Sequence, residues 1–512
     1  MPNLRRPLLS FGLALFAWLL GLAFFWAFPA LPFQDLIAHA GFLAERTRYA
    51  HSPLEQSVLV YSPRLGPYSL FHALGAGVGA LLGPLPAMRA IASLVWTAYP
   101  AASVWAGYRL FGRRSAADAF AGMLLALGFM TMLGLLGFQL AAALLLVVDV
   151  EWLRLLREPT PKAWRVGRFA LLPLLLFFAH GFAFALFLGL AAVAWTRTPV
   201  PARRAWLGLL PGAGVALIAA ARAWLDPIPG AAASAGLLPI RVQSTLDKLS
   251  LLLTPTLLTR FGVDALVAVA LWLLAGTLVW RALRSSPRGP RRTLAWQALA
   301  GFGFFLALPH GIGPLGFVDS RVLPTVLALA LLCREREGGR DGTADTDTEP
   351  DAPHLTHALA AATFVLLGCG LVASFRFQRE AVGARRIADA IPEGARLLHL
   401  PLDPDSRAFV AHPFLHYDKL ALIERPVIVS DVWFHAATAL YPRASHPSLA
   451  LPSDVPYSVL GEARWDDYRW QDWDRVLIRT QLDAPEPAGI PAALVRIDHV
   501  GGFWLYRVEK PY

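Results

Sequence analysis

Residues 33–67 read FQDLIAHAGFLAERTRYAHSPLEQSVLVYSPRLGP. An apolar run from Leu8 to Phe28 precedes them, and most of the chain from Tyr68 to Val372 is also apolar. Within that hydrocarbon-compatible chain the stretch carries Asp35, His39, Glu45, Arg46, Arg48, His51 and Glu55. Ionisable side chains are strongly disfavoured inside a bilayer, so a cluster of them just beyond a first hydrophobic run is where chemistry is first sought. The remainder of the chain reads as a scaffold around that loop.

Of 512 residues, 56% are hydrophobic and 16% charged, and mean hydropathy is +0.49. Many runs reach the roughly 20 residues a helix needs to cross a bilayer, so the fold class is a polytopic α-helical membrane protein. The net charge of +10 does not point to nucleic acid. The basic residues sit in short clusters between apolar runs, the pattern of loops retained in the cytoplasm. Arg5 and Arg6 precede Leu8–Phe28 and no small-residue cleavage site comes after it, which reads as an uncleaved span with a cytoplasmic N-terminus. Abundant Arg, Ala, Leu, Gly and Pro suggest a GC-rich bacterial genome, hence a bacterial inner membrane. Cys333 and Cys369 fall at a span end and inside a span, and build no disulfide framework.

Candidate spans fall near 8–28, 90–110, 116–133, 136–153, 169–179 with 182–195, 206–224, 263–283, 294–308, 321–333 and 358–375, about eleven in all. If the clusters Arg109–Arg114, Arg154–Arg168, Arg197–Arg204, Arg281–Arg292 and Arg334–Arg340 all face the cytoplasm, parity settles two ambiguous segments. Tyr68–Pro86 is Gly-rich and closed by prolines, and becomes an interfacial or re-entrant helix of the first outer loop. Phe169–Trp195 is basic at both ends, so it becomes two short helices turning at His180-Gly181 towards the outer face. The transmembrane domain is then 1–375, with outer loops at about 29–89 and 225–262, and 334–357 is a disordered cytoplasmic loop. Residues 376–512 form a periplasmic or extracellular α/β domain. Its helix is expected around Gln378–Ile391 and its strands in ARLLHLPL, LALIERPVIVSD, RVLIRT, ALVRIDHV and FWLYRVEK.

This order of parts resembles the GT-C superfamily of integral-membrane glycosyltransferases, which use polyprenyl-phosphate sugars. The matching parts are the cytoplasmic N-terminus, a first outer loop with interfacial helices and an acidic residue at Gln34-Asp35, a second large outer loop after the seventh span, and a terminal external domain. The likeness is one of layout over residues 1–333; the external domain, with HPFLH and GGFWLYRVEK, looks like the tail of bacterial members. The resemblance implies that Asp35 is the catalytic residue, holding a divalent metal (Mg or Mn) or acting as base toward an acceptor hydroxyl. Many members carry two adjacent acidic residues; here the neighbour is Gln34. It also implies that Arg321 holds the phosphate of the lipid donor, with Arg241, Lys248 and Arg260 as rivals. His39 lies one helical turn beyond Asp35, where it orients the carboxylate or touches a phosphate. His180 faces the cavity from the helix-pair turn.

The implied activity is transfer of a hexosyl or pentosyl group from a polyprenyl-phosphate donor to a glycan, lipid or protein acceptor on the outer face. The alternative is a non-catalytic GT-C-like protein that binds lipid-linked glycans or assembles an envelope complex. A second carboxylate folded against Asp35, from Glu45, Glu55 or Asp247, favours the enzyme. The plainest rival role for Asp35 is to N-cap the helix LIAHAGFLAERT. His412 and His416, with His399, His435 and His446 in the same domain, suggest zinc by spacing, but Pro413 interrupts the pair. Trp465, Trp470 and Trp473 either stack on sugars or form domain core. No P-loop, dinucleotide-binding glycine pattern or nucleophile elbow occurs.

Overall fold

A computed structural model describes residues 2–198, 202–225, 240–285, 289–312, 316–334, 353–430, 440–442 and 465–510. Most of the loop expected to be disordered, together with His435 and His446, lies outside them. The first half of the chain folds as α1 (Pro2–Ala27), α2 (Leu36–Arg48), α3 (Pro53–Val58), α4 (Ser69–Leu82), α5 (Pro84–Phe111), α6 (Ala116–Ala126), α7 (Phe129–Met132), α8 (Leu136–Arg157), α9 (Ala163–Ala179) and α10 (Gly181–Arg197). Then come α11 (Leu210–Leu225), α12 (Thr245–Leu251), α13 (Val263–Ser285), α14 (Pro290–Ala307), α15 (Leu323–Leu332), α16 (Pro353–Glu380), α17 (Ala384–Asp389) and α18 (Lys419–Glu424).

Among the described residues five helices are long and apolar enough to cross a membrane: Leu8–Ala27, Leu136–Arg157, Arg203–Leu225, Val263–Arg284 and Pro353–Glu380. Others, including Ala116–Ala126 and Gly181–Arg197, are apolar but shorter, so length and composition alone do not yield eleven spans. The run 116–133 shows why. Its helix stops at Ala126, because the chain at Gly128 passes against another backbone: a Cβ there would collide with the Pro255 carbonyl oxygen. Phe129 N–H then donates to Thr254 O at 3.0 Å. A loop occupies the space that a continuing helix needs.

The break at His180 is as expected. His180 is extended between α9 and α10, and Trp152 of α8 stacks on Phe169 while its indole N–H donates to Ala191 O. Phe169 and Ala191 lie equal distances either side of His180, so the two helices fold back on one another. Several basic clusters gather at one end of the bundle. Arg109 pairs with Glu151, Arg113 with Asp118, Arg334 with the same Asp118, and Arg291 donates to Cys333 O.

At the other end sits the C-terminal domain. Its sheet comprises β4 (Arg396–Pro401), β5 (Ile428–Val429), β7 (Arg475–Arg479), β8 (Leu494–Val500) and β9 (Phe503–Val508), in the order β5-β4-β7-β9-β8, and β4 runs parallel to both neighbours. Residue alternation sorts its two faces. Leu398, Leu400, Val476, Ile478, Trp504 and Tyr506 enclose a small core with Trp473, and Trp465 and Trp470 pack against it. The tryptophans are thus domain core. Leu397, Leu477, Phe503 and Leu505 face the opposite way and merge with the core of the membrane helices. A short ribbon adds to this joint, where β1 (Leu59–Tyr61) pairs with β6 (Leu440–Pro442), while β2 (Ile240–Arg241) and β3 (Gly311–Ile312) pair two loops of the helical part.

Two expectations for this domain are corrected. Helix α16 runs on through Gln378 to Glu380, and Gly383, at φ +86°, turns the chain into the separate α17. LALIERPVIVSD is not one strand: its first half is α18, and only Ile428–Val429 joins the sheet. Tertiary packing overrides local pattern here, because α18 lies on α2. A Cβ at Gly41 would stand 3.0 Å from Lys419 Cβ and 3.3 Å from Leu422 Cδ2. Gly41→Leu should therefore force the two helices apart, at about 1–3 kcal/mol for overpacking, and lower the thermal melt. Gly12→Leu, with open space around it, should melt like wild type; equal melts for both would mean that α18 is not seated there.

Candidate active site

Asp35 precedes α2 without capping it: its side chain accepts no hydrogen bond from the helix. The main chain is held instead by the loop before α8, where Gln34 N–H donates to Met132 O at 2.9 Å and Asp35 N–H to Leu133 O at 3.1 Å. Gly134 makes this approach feasible. It sits at φ +78°, and a Cβ on it would lie 2.7 Å from the Asp35 nitrogen. The Asp35 carboxylate accepts from Gln34 Nε2 at 3.2 Å and lies 3.5 Å from His416 Nε2. His416 is fully buried, whereas the Asp35 side chain keeps 15% of its surface open. Gln34 in turn accepts from the His412 N–H, His412 Nδ1 pairs with Asp405, and Asp405 takes Arg260 at 2.8 Å. His416 is the partner that sequence reading missed. Its spacing from His412 suggested a shared metal, and nothing in HPFLH signals contact with a residue 381 positions earlier.

A second cluster surrounds Arg321. Tyr68 Oη lies 2.7 Å from His180 Nε2, and Phe182 N–H donates to His180 Nδ1. A neutral His180 ring therefore keeps its proton on Nε2 and donates it to Tyr68. Arg321 Nη1 approaches the same Nε2 at 3.4 Å, and Nη2 donates to Gly316 O at 3.1 Å. The guanidinium is buried and its Nε has no hydrogen-bond partner. Asp319, the nearest acid in sequence, is engaged by His310 and Lys248, and among the described residues no carboxylate pairs with Arg321. A buried guanidinium without a counter-ion is unfavourable unless an anion joins it. Only Tyr68 (φ +70°) and Phe317 (φ +56°) among described non-glycine residues occupy the left-handed region. Tyr68 touches His180, and Phe317 O accepts the Arg321 N–H. Backbone strain of this kind gathers where a site over-determines its geometry. Phe138 lies 5.3 Å from His180 and 5.7 Å from Arg321, so the segment that holds Asp35 also braces this cluster.

The other candidates fall differently. Lys248 Nζ donates to the Phe305, Leu306 and Leu308 carbonyls, closing the C-terminal end of α14. Arg241 is exposed and lies over Gly311; its Nη2 comes within 3.9 Å of a Cβ built at Gly316, the residue that Arg321 holds from inside. The His39 ring packs edge-on against Phe71 of α4 at 5.0 Å. Glu45, Glu55 and Asp247 make no hydrogen bond or ion pair with Asp35. Asp247 bonds Ser244, and Glu55 pairs with Arg48 at 3.0 Å, whose guanidinium also donates to Leu422 O. Burial, and then Glu55, push the Glu45 carboxyl up to about 8 against the pull of Arg48 and Lys419. In the same joint burial raises Asp418, but Lys419 and His399 outweigh it and hold that carboxyl below its usual range.

Among the described residues no three His, Cys, Asp or Glu side chains converge as a metal site. Mg and Mn favour several oxygen ligands, and Asp35 with His416 is not such a set. Of the histidines named for zinc, the three described ones are each matched to a separate acid, His399 to Asp418, His412 to Asp405 and His416 to Asp35.

The fold has been seen before. The chain superposes on ArnT from Cupriavidus metallidurans bound to undecaprenyl phosphate with a TM-score of 0.60 at 13% identity, covering 98% of this chain and 97% of that one. The apo state of the same protein gives 0.58 at 14% identity over the same shares. The mycobacterial arabinofuranosyltransferase AftD gives 0.49 at 16% identity, covering 97% of this chain and 40% of that one. At these identities the likeness to the two ArnT structures is one of fold. The sequence matches no protein-family model and no curated protein.

Glu45 yields a pH prediction. Its carboxyl binds a proton more tightly folded than unfolded, so its contribution is fully present below about 4.5 and is lost as pH rises towards about 8. Thermal melts of the wild type should fall between pH 5 and pH 8.5, and Glu45→Gln should flatten that fall. An unchanged slope in the variant would exclude Glu45 as its source.

Proposed function

We propose that this protein is a membrane glycosyltransferase of GT-C type that moves a sugar from a polyprenyl-phosphate donor to an acceptor hydroxyl on the outer face of the membrane. The observation that carries the reading is Arg321, a buried guanidinium lacking a carboxylate and bordered by His180, Tyr68 and the exposed Arg241. That set suits a phosphate: Arg321 offers a planar fork of donors, and Arg241 adds charge from the solvent side. The fold shared with ArnT, which has been crystallised with undecaprenyl phosphate, supports a lipid-phosphate donor.

In this reading Asp35 takes the proton from the acceptor hydroxyl. The acceptor oxygen forms its bond to the anomeric carbon as the bond from that carbon to the phosphate oxygen breaks, and the lipid phosphate leaves with the electron pair. Arg321 stabilises the growing negative charge in a site from which water is largely excluded. Gln34 and His416 hold the carboxylate in position and keep it oriented. Lys248 has no part in donor binding, since its ammonium closes a helix end. The basic clusters at the far end of the bundle support a cytoplasmic placement of that end, which puts the C-terminal domain outside.

Sugar transfer from short-chain polyprenyl-phosphate donors should fall roughly 10²–10⁴-fold in Asp35→Asn, the usual worth of a positioned base, with the melt unchanged. Arg321→Gln should lower kcat as well as raise the KM for donor, because the guanidinium meets charge that grows as the phosphate leaves, and it should weaken binding of the polyprenyl phosphate product. Equal transfer by Asp35→Asn and wild type would remove Asp35 from the chemistry, and inhibition by EDTA would bring in a metal. Failure of the wild type with every donor tried would favour a binding protein.

A further inference from the structure

The far end of the bundle holds a second polar feature that the transfer reaction does not use. The ends of α5 and α8 and the start of α9 enclose an open cleft of about 270 Å³ lined by Arg109, Arg154, Arg157, Arg165, Glu158 and Leu110. Helix α8 separates it from Asp35: the 22 residues of that helix span about 33 Å, and the loop that holds Asp35 lies at the opposite terminus.

Four guanidinia here meet two carboxylates. Glu151 is shared by Arg109 and Arg154, both at 2.9 Å, and Glu158 takes Arg165 at 2.8 Å. Arginines in the last turns of α5 and α8 also suit the negative ends of those helices, which accounts for Arg109 and Arg154. The same holds for Arg157, the last residue of α8, which also lies within electrostatic reach of the buried Asp149, but its Nη2 is buried with no hydrogen-bond partner and so has a donor left for a ligand. The surroundings mark a membrane surface. Trp164 is 59% exposed with the Arg168 guanidinium 5.5 Å from its ring, and the exposed Tyr108 carries Arg114 at 5.0 Å. Exposed aromatic rings beside arginines are typical of headgroup depth.

We propose that this cleft binds a phosphoryl anion, supplied by an anionic phospholipid headgroup of the surrounding bilayer. Arg157 and Arg165 donate to the phosphoryl oxygens, while Glu151 keeps Arg109 and Arg154 aimed at the cleft. Basic pockets between helices on this side of a membrane suit such headgroups. The proposal does not depend on the sugar-transfer reading, because no group of the cleft touches Asp35 or Arg321.

The test uses the full chain, purified in neutral detergent and stripped of lipid. Phosphatidylglycerol should raise its melting temperature and remain bound through native mass spectrometry, whereas phosphatidylcholine should do neither. Arg157→Gln should weaken the phosphatidylglycerol response about tenfold or more, the worth of one lost charge-assisted hydrogen bond. Arg165→Gln, on the neighbouring helix α9, provides a second variant should Arg157→Gln fail to fold, and the same loss is expected. A response to inorganic phosphate that the same substitutions abolish would support the phosphoryl site and assign it to a soluble ligand. Equal responses to the two phospholipids, or a phosphatidylglycerol response that survives both substitutions, would overturn it.

Discussion

Gln34 and Asp35 are held from two directions at once. Their main-chain N–H groups donate to the carbonyls of Met132 and Leu133, and their side chains face His412 and His416. The loop before α8 and the C-terminal domain thus grip the same dipeptide, and the helix beginning at Leu36 is pressed against α18 at Gly41. An isolated loop carboxylate would move freely on the side-chain timescale. Here the order of one side chain depends on the docking of a whole domain, and the buried ionisable groups Glu45, Glu55, Asp418 and Lys419 lie in that docking surface.

The C-terminal domain is accordingly part of the membrane fold and no appendage. Strands buried on both faces read as nearly continuous apolar runs, and β7 and β9 have that character. One face closes a small tryptophan-rich core, and the other completes the core of the helices. Polar residues on the inner face must then find partners, as His399 does with Asp418.

Much of the architecture was legible in the sequence because hydropathy and charge are strong local signals. The helix pair around His180, the Arg-rich end and the strands ending in FWLYRV come from runs, turns and parity. The hidden part depends on contacts distant in sequence. Gly128 ends a helix only because Pro255 arrives beside it, and LALIE is helical only because α2 receives it. In the site, Asp35 stood out as a charge beside an apolar run and Arg321 came from the resemblance in layout, with Arg241, Lys248 and Arg260 as rivals, whereas the contact of His416 required the domain interface. Tyr68 carried no signal at all, since a tyrosine before a Gly-rich helix does not announce a left-handed backbone or a histidine partner.

The pairing of β1 with β6 joins residues 59–61 to residues 440–442. Together with the contacts of Gln34 and Arg48 to residues 412 and 422–423, it ties the loop after α1 to a segment about 380 positions further along the chain. Closing so long a loop adds only modestly to the entropy cost of folding, but it fixes the order of events. During synthesis the first loop emerges and waits while the intervening helices are inserted, and its partners arrive after them. The carboxylate is therefore set in place only after residues 412–442 have been made, so a product truncated before them carries the membrane helices without an assembled site.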